Sequence, residues 1–198
     1  ECLGVIELNV PGEHNVLNSL AAVVLGLEMG LSFQRIKNGI LKYKGVRRRF
    51  DIKGLLNNVL IVDDYAHHPS EIRATINSAK TGWNRRIIAV FQPHLYTRTK
   101  EFFKEFADSL KTADVVILSE IYGAREKPIK GITSELIFFE LQKKMQDKCI
   151  LISGLSEMGK TLDRIIEPGD LLLTMGAGDI WRYNESYVGQ MKRRFGAV

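Results

Sequence analysis

The chain concentrates its reactive side chains where apolar runs stop. Val59-Leu60-Ile61-Val62 gives way at once to Asp63, Asp64, Tyr65, His67, His68 and, after Pro69, Glu71. Ile87 to Phe91 gives way to Gln92-Pro93-His94-Leu95-Tyr96-Thr97-Arg98-Thr99. Asp64 could accept hydrogen bonds from a ribose hydroxyl, or it could cap its loop by accepting backbone N–H groups. His67 or His94 could serve as a general base near neutral pH, although a lone histidine is more often structural. Arg98 offers a planar fork suited to a carboxylate, or a surface ion pair with Glu101 or Glu105. Two more runs end in Glu120-Ile121-Tyr122 and in Thr174-Met175-Gly176-Ala177-Gly178-Asp179. The Gly-Ala-Gly step permits close approach of backbone to a ligand or a neighbouring loop, but it lacks the third glycine of a dinucleotide fingerprint. Gly154-Leu155-Ser156-Glu157-Met158-Gly159-Lys160-Thr161 is close in composition to a phosphate-binding loop. It reads instead as the start of a helix, and no P-loop is expected in the chain.

Residues at the ends of apolar runs need a scaffold that gathers those ends. Runs start at Val59, Ile87, Val115, Cys149 and Leu171. Their spacing matches that of βαβ units, with helical patterns in the gaps. The helices are expected from Pro69 (with Ile72, Ile76 and Ala79 on one face), from Lys100, over 134–145, over 155–166 and near 184–195. Arg98 would then lie just before a helix. The runs are continuous rather than alternating, as in strands buried on both faces. An extra edge strand is expected at Phe50-Asp51-Ile52-Lys53. The fold class is therefore α/β, a Rossmann-like, doubly wound, mainly parallel sheet. Such sheets bind ligands at the carboxyl ends of their strands.

Residues 1–44 differ in character. An apolar stretch over 3–10 reads as the tail of a strand. A helix then begins at Asn15, and Ser32 is placed to cap a second one bearing Phe33, Ile36 and Ile40. This helical pair is too small to fold alone and should pack on a larger body. The basic connector Gly45-Val46-Arg47-Arg48-Arg49-Phe50 follows.

The 198 residues suffice for one α/β domain with an appendage. The 45% hydrophobic and 26% charged composition is that of a globular protein. No apolar run approaches a membrane span, and no signal peptide is recognised. Cys2 and Cys149 lack metal-ligand or redox spacing and read as free cytosolic thiols. The net charge of +5 is clustered at 47–49, 85–86 and 192–194, which suits an anionic partner or a solvated surface. Aromatic residues do not interleave with these clusters, so nucleic acid is not expected.

Taken together, these motifs resemble the Mur ligase family, the ATP-dependent ligases that build the peptidoglycan stem peptide. Gly12-Glu13-His14-Asn15 with Asn18, Ala21 and Ala22 is similar to the family's G-x-H-N-x-x-N-x-x-A-A segment. Residues 45–50 are similar to its G-x-x-R-R-F junction. Residues 63–71 are similar to D-D-Y-A/G-H-H-P-T-E, and residues 176–180 to G-A-G-D/N-I. Residues 91–99 resemble F-Q-P-H-x-F/Y-T-R-T, which points to the alanine-adding branch.

The resemblance implies that 1–48 is the end of a central ATPase domain with a hinge, and 49–198 the C-terminal ligase domain. It implies ATP and Mg2+ as cofactors, with the metal ligands mostly outside this chain. Asn15 and Asn18 would meet the adenine end of ATP; Arg49 and Asp64 would hold its ribose and phosphates. Tyr65, His67, His94 and Arg98 would line the amino-acid pocket, with His67, His94 and Arg98 taking part in catalysis. Leu95 departs from relatives that carry a basic residue there, which leaves Arg98 to act with other help. The implied substrates are UDP-N-acetylmuramate and L-alanine, joined through an acyl phosphate in the cytoplasm. Without the P-loop and UDP-sugar domains of the same enzyme, the chain alone would be inactive. The rival expectations are a stand-alone nucleotide-binding module and a basic nucleic-acid-binding protein.

Overall fold

A computed structural model describes residues 2–196, apart from the side chains of Glu13 and His14; the His14 side chain of the G-x-H-N string therefore lies outside what is described. Residues 2–10 form neither helix nor strand, so the expected strand tail is absent there. Helix α1 (Glu13–Glu28) and helix α2 (Phe33–Leu41) form the expected pair. The Ser32 side chain caps α2 by accepting the Arg35 N–H at 3.4 Å.

The remainder is a six-stranded sheet covered on both faces. Its strands are β1 (Asp51–Leu56), β2 (Val59–Asp64), β3 (Ile87–Phe91), β4 (Val115–Leu118), β5 (Cys149–Leu151) and β6 (Leu171–Met175). The spatial order is β1-β2-β6-β3-β4-β5. Only β1 runs antiparallel, as an edge strand two residues longer than the sequence suggested. Asn57 and Asn58, with φ of 48° and 59°, make the tight turn between β1 and β2. Asn tolerates this left-handed region, which two-residue hairpin turns require.

The continuous apolar runs have a simple cause. Successive side chains point to opposite faces of a strand, and both faces are covered. Leu60, Val62, Ile87, Ala89 and Phe91 enter one core with α3 (Pro69–Gly82), α4 (Tyr96–Leu110) and α5 (Glu135–Met145). Val59, Ile61, Ile88 and Val90 enter the other, with α6 (Met158–Ile165) and α7 (Ile180–Phe195). Strand β6 inserts between β2 and β3, so three carboxyl ends sit side by side at a topological switch point.

Two helices begin earlier than their local patterns suggest, and both starts are held by distant side chains. Helix α4 begins at Tyr96, which puts Arg98 inside its first turn rather than before it. There the carboxylate of Glu126 accepts the Thr97 N–H at 3.0 Å. Helix α7 begins at Ile180, whose N–H is accepted by Gln92 Oε1 at 3.2 Å.

The string at residues 154–161 meets the G-x-x-x-x-G-K-S/T spacing in full, with four residues between its glycines. It is nonetheless a helix start. Leu155–Glu157 is a turn of 3-10 helix, and Gly159, Lys160 and Thr161 already lie within α6. Leu155 and Met158 are buried in the core. No open loop of N–H groups remains there to cradle a phosphate.

Candidate active-site wall

The end of β2 organises the region. Asp64 is 6% exposed, and each of its oxygens is bonded to backbone. Oδ2 accepts the Phe50 N–H and Oδ1 the Ala66 N–H, both at 2.7 Å. The loop-capping alternative is thus present, and it ties the basic connector to the β2 loop. Asp63 is fully buried, accepting from Thr174 Oγ1 at 2.8 Å and facing Arg48 Nε at 3.4 Å. Burial raises the pKa of both carboxyls above the ordinary value. Thr174 and Arg48 oppose the rise at Asp63; the Phe50 and Ala66 N–H groups oppose it at Asp64.

The connector is bolted to this strand end. Arg48 donates from Nη2 to the Gly176 carbonyl at 2.6 Å, and its own carbonyl accepts the Tyr65 N–H at 2.7 Å. Its guanidinium lies 4.7 Å from the Tyr65 ring centroid. Arg48 and Phe50 adopt φ of 59° and 46°, so the backbone turns sharply on both sides of Arg49. Arg49 is thereby left to face a cleft.

That cleft, of about 400 Å³, lies between the helical pair and the sheet body. Asn15, Asn18, Arg49 and Asp64, the four residues expected to meet a nucleotide, all line it, together with Tyr43, Glu71 and Thr75. Asn15 donates its amide N–H to the Pro11 carbonyl at 2.6 Å, which leaves its side-chain oxygen as an acceptor. The size and lining suit the base and ribose of a nucleotide. The described residues offer no cradle for its phosphates. They also include no group of three His, Cys, Asp or Glu side chains able to hold a metal ion.

The second set of expected residues forms a row of rings beside the cleft. Tyr65 and His67 stand edge to face at 5.2 Å, and His67 and His94 likewise at 5.9 Å. His94 stacks on Tyr122 at 5.8 Å. Arg98 Nη1 lies 3.4 Å from His94 Nδ1, and neither Glu101 nor Glu105 pairs with it. Burial, then the Arg98 charge and His67, hold the pKa of His94 below its ordinary value. Glu71 joins the two sets. It lines the cleft, and its Oε2 accepts the His67 and His68 N–H groups at 3.0 and 3.2 Å.

Residues of this wall that were not singled out from the sequence as site residues include Arg48, Gln92, Tyr122 and Glu126. Gln92 is 3% exposed and donates to Asp179 at 2.8 Å, so it fastens the glycine loop to the β3 end. A buried amide directly after an apolar run was the available signal. The loop's small residues serve this packing. A Cβ on Gly178 would lie 2.6 Å from Tyr122 Cγ and would also overlap Gln92.

A family profile described as "Mur ligase, glutamate ligase domain" matches residues 48–178. The chain belongs to the Mur ligase family. Among Mur ligases, it is 44% identical to the UDP-N-acetylmuramate–L-alanine ligase of Geotalea uraniireducens over 190 residues. That match covers 96% of the chain and 42% of the relative. The enzyme of the same name from Salinibacter ruber is 46% identical over 189 residues, covering 95% of the chain and 40% of the relative. The crystal structure of the UDP-N-acetylmuramate–alanine ligase from Thermotoga maritima superposes with a TM-score of 0.81 at 30% identity. It covers 96% of this chain and 40% of that one. The chain thus spans about two-fifths of the length of these Mur ligases.

Proposed function

We propose that the chain is the C-terminal part of an ATP-dependent, ADP-forming ligase. This ligase joins L-alanine to the carboxylate of UDP-N-acetylmuramate in cytoplasmic peptidoglycan synthesis. In this reading residues 49–198 are the ligase domain, and the helical pair belongs to the ATPase domain before it. The observation that carries it is the joining of two site halves at one strand end. A nucleotide-sized cleft lined by Asn15, Asn18, Arg49 and Asp64 adjoins the row of Tyr65, His67, His94 and Arg98. The names of the relatives supply the substrate classes.

ATP supplies the phosphoryl group that activates the muramate carboxylate. The chain's own residues then position and neutralise, which is most of what phosphoryl and acyl transfer need from a protein. Asn15 and Asn18 hold the base end of the nucleotide, while Arg49 and Asp64 hold the ribose and phosphate side. Arg98 receives the amino-acid carboxylate, and a histidine of the ring row takes a proton from its ammonium group. Each basic cluster has at least one member paired with a carboxylate, Arg47 with Glu185 at 3.4 Å, Arg86 with Asp170 at 2.8 Å and Arg194 with Asp163 at 3.2 Å, which weighs against a nucleic-acid surface.

The test joins this chain to the ATPase and UDP-sugar-binding portion of the Geotalea uraniireducens relative. ADP release that needs both UDP-N-acetylmuramate and L-alanine is the expected result, with none from the chain alone. An Arg49→Ala version should bind ATP more weakly in calorimetry. A soluble, folded fusion with no alanine-dependent ADP release overturns the reading.

A further inference from the structure

The two histidines of the ring row face different partners, and those partners fix different protons. His67 Nδ1 lies 2.9 Å from the Tyr65 carbonyl and 3.3 Å from Glu71 Oε2. Both partners are acceptors, so Nδ1 must carry the hydrogen. The free lone pair of neutral His67 is therefore on Nε2, which has no hydrogen-bond partner among the described residues. His94 is arranged the other way. Its Nδ1 faces Arg98 Nη1 at 3.4 Å, and a guanidinium can only donate. The lone pair of His94 is thus turned to Arg98, and its hydrogen is on Nε2. Burial and the Arg98 charge favour this neutral form. Stacking on Tyr122 fixes the plane of the ring.

Resting on the ligase reading above, we propose that His67 Nε2 is the proton acceptor for the incoming amino acid, with Glu71 as its positioning residue, while His94 positions Arg98 for the amino-acid carboxylate. In the step, an N–H bond of the alanine ammonium breaks and the Nε2–H bond of His67 forms. The resulting imidazolium faces the Glu71 carboxylate across Nδ1. The freed amine lone pair forms the C–N bond at the acyl phosphate carbonyl. The C–O bond to phosphate then breaks, and the leaving phosphate takes the second proton from nitrogen. Glu71 is well placed for this because its Oε2 already accepts the backbone N–H groups of His67 and His68. It thereby fixes the loop, the ring and the charge beside the ring together. The other charged groups near the pair are Arg49, which acts on Glu71, and Arg48, which lies over the Tyr65 ring.

The first test needs only this chain. Two-bond 1H–15N correlation spectra, assigned by His67→Gln and His94→Gln, should show neutral His67 protonated on Nδ1 and neutral His94 on Nε2. His67 protonated on Nε2 overturns the proposal. The second test uses the fused ligase and two nucleophiles. Hydroxylamine is largely unprotonated at neutral pH and traps an acyl phosphate as a hydroxamate without help from a base. His67→Gln should lower kcat with L-alanine by on the order of 100-fold, and Glu71→Gln by about 10-fold, while hydroxamate formation holds. The Glu71→Gln amide still accepts the two backbone N–H groups, so a purely structural Glu71 would leave both nucleophiles unaffected. Equal loss with both nucleophiles overturns the assignment. His94→Gln should raise the KM for alanine about 10-fold with kcat held. If His94→Gln instead loses kcat with alanine alone, His94 is the base and the proposal fails. A parent fusion that forms neither product refutes the ligase reading, while the spectra still decide the histidine assignment.

Discussion

Replacing Asp64 with alanine should loosen the whole candidate site, and the structure sets the size of the effect. The side chain is 6% exposed, and its oxygens accept two backbone N–H groups at 2.7 Å. A hydrogen bond to a charged acceptor contributes about 1.5–3 kcal/mol, so two contribute roughly 3–6 kcal/mol. The residue also lines the cleft, so water can reach part of the vacated space. The low end, about 3 kcal/mol, is therefore expected. For a domain of this size that lowers the thermal midpoint by roughly 6–12 °C. Circular dichroism melts at mildly alkaline pH, where the carboxyl is ionised, would measure it. Asp64→Asn should rescue little, because its NH2 group would confront one of the same N–H donors. The loss should also appear in ATP affinity, since Phe50 is held by Asp64 and Arg49 precedes it. A melting point within about 1 °C of the parent, with ATP binding unchanged, would refute the reasoning.

Two other perturbations test the same wall. Gly178→Ala places a methyl group 2.6 Å from Tyr122 Cγ, against a ring already stacked on His94 and beside a Gln92 bound to Asp179. Overpacking of this kind should destabilise the chain by about 1–3 kcal/mol in urea denaturation, and a neutral effect would show that the loops are free to part. For Asp63, burial raises the folded-state pKa above the unfolded value of 3.8. Between those two values the folded state binds more protons than the unfolded one, so stability falls as pH rises through the window. Asp63→Asn should flatten that slope, read as urea midpoints compared at matched pH; parallel curves for parent and variant would contradict the assignment.

Much of this architecture was written locally in the chain. Each parallel strand is a short apolar run because both faces of the sheet are covered, and each run stops where the backbone emerges at the strand end. The starts of α4 and α7 were not readable, because Glu126 and Gln92 hold them from 29 and 88 residues away. No local cap signal could mark either one. The order of the strands was equally hidden. Spacing between runs indicates βαβ units but not that β6 enters between β2 and β3.

The same limit applies to the site. His67 and His94 come within 5.9 Å although their strands do not pair directly. That proximity depends on the glycine loop of β6 being small enough to let the flanking loops meet above it. Three consecutive arginines look alike in the sequence. Positive φ at Arg48 turns it toward Asp63 and Gly176 and leaves Arg49 for the cleft. The string at 154–161 shows the converse. Its letters satisfy a phosphate-loop spacing, yet Leu155 and Met158 are drawn into the core and wind the segment into helix. A motif specifies a site only when burial of its neighbours leaves its backbone free to take the binding conformation. That condition fails at Gly159 and Lys160, which lie within α6.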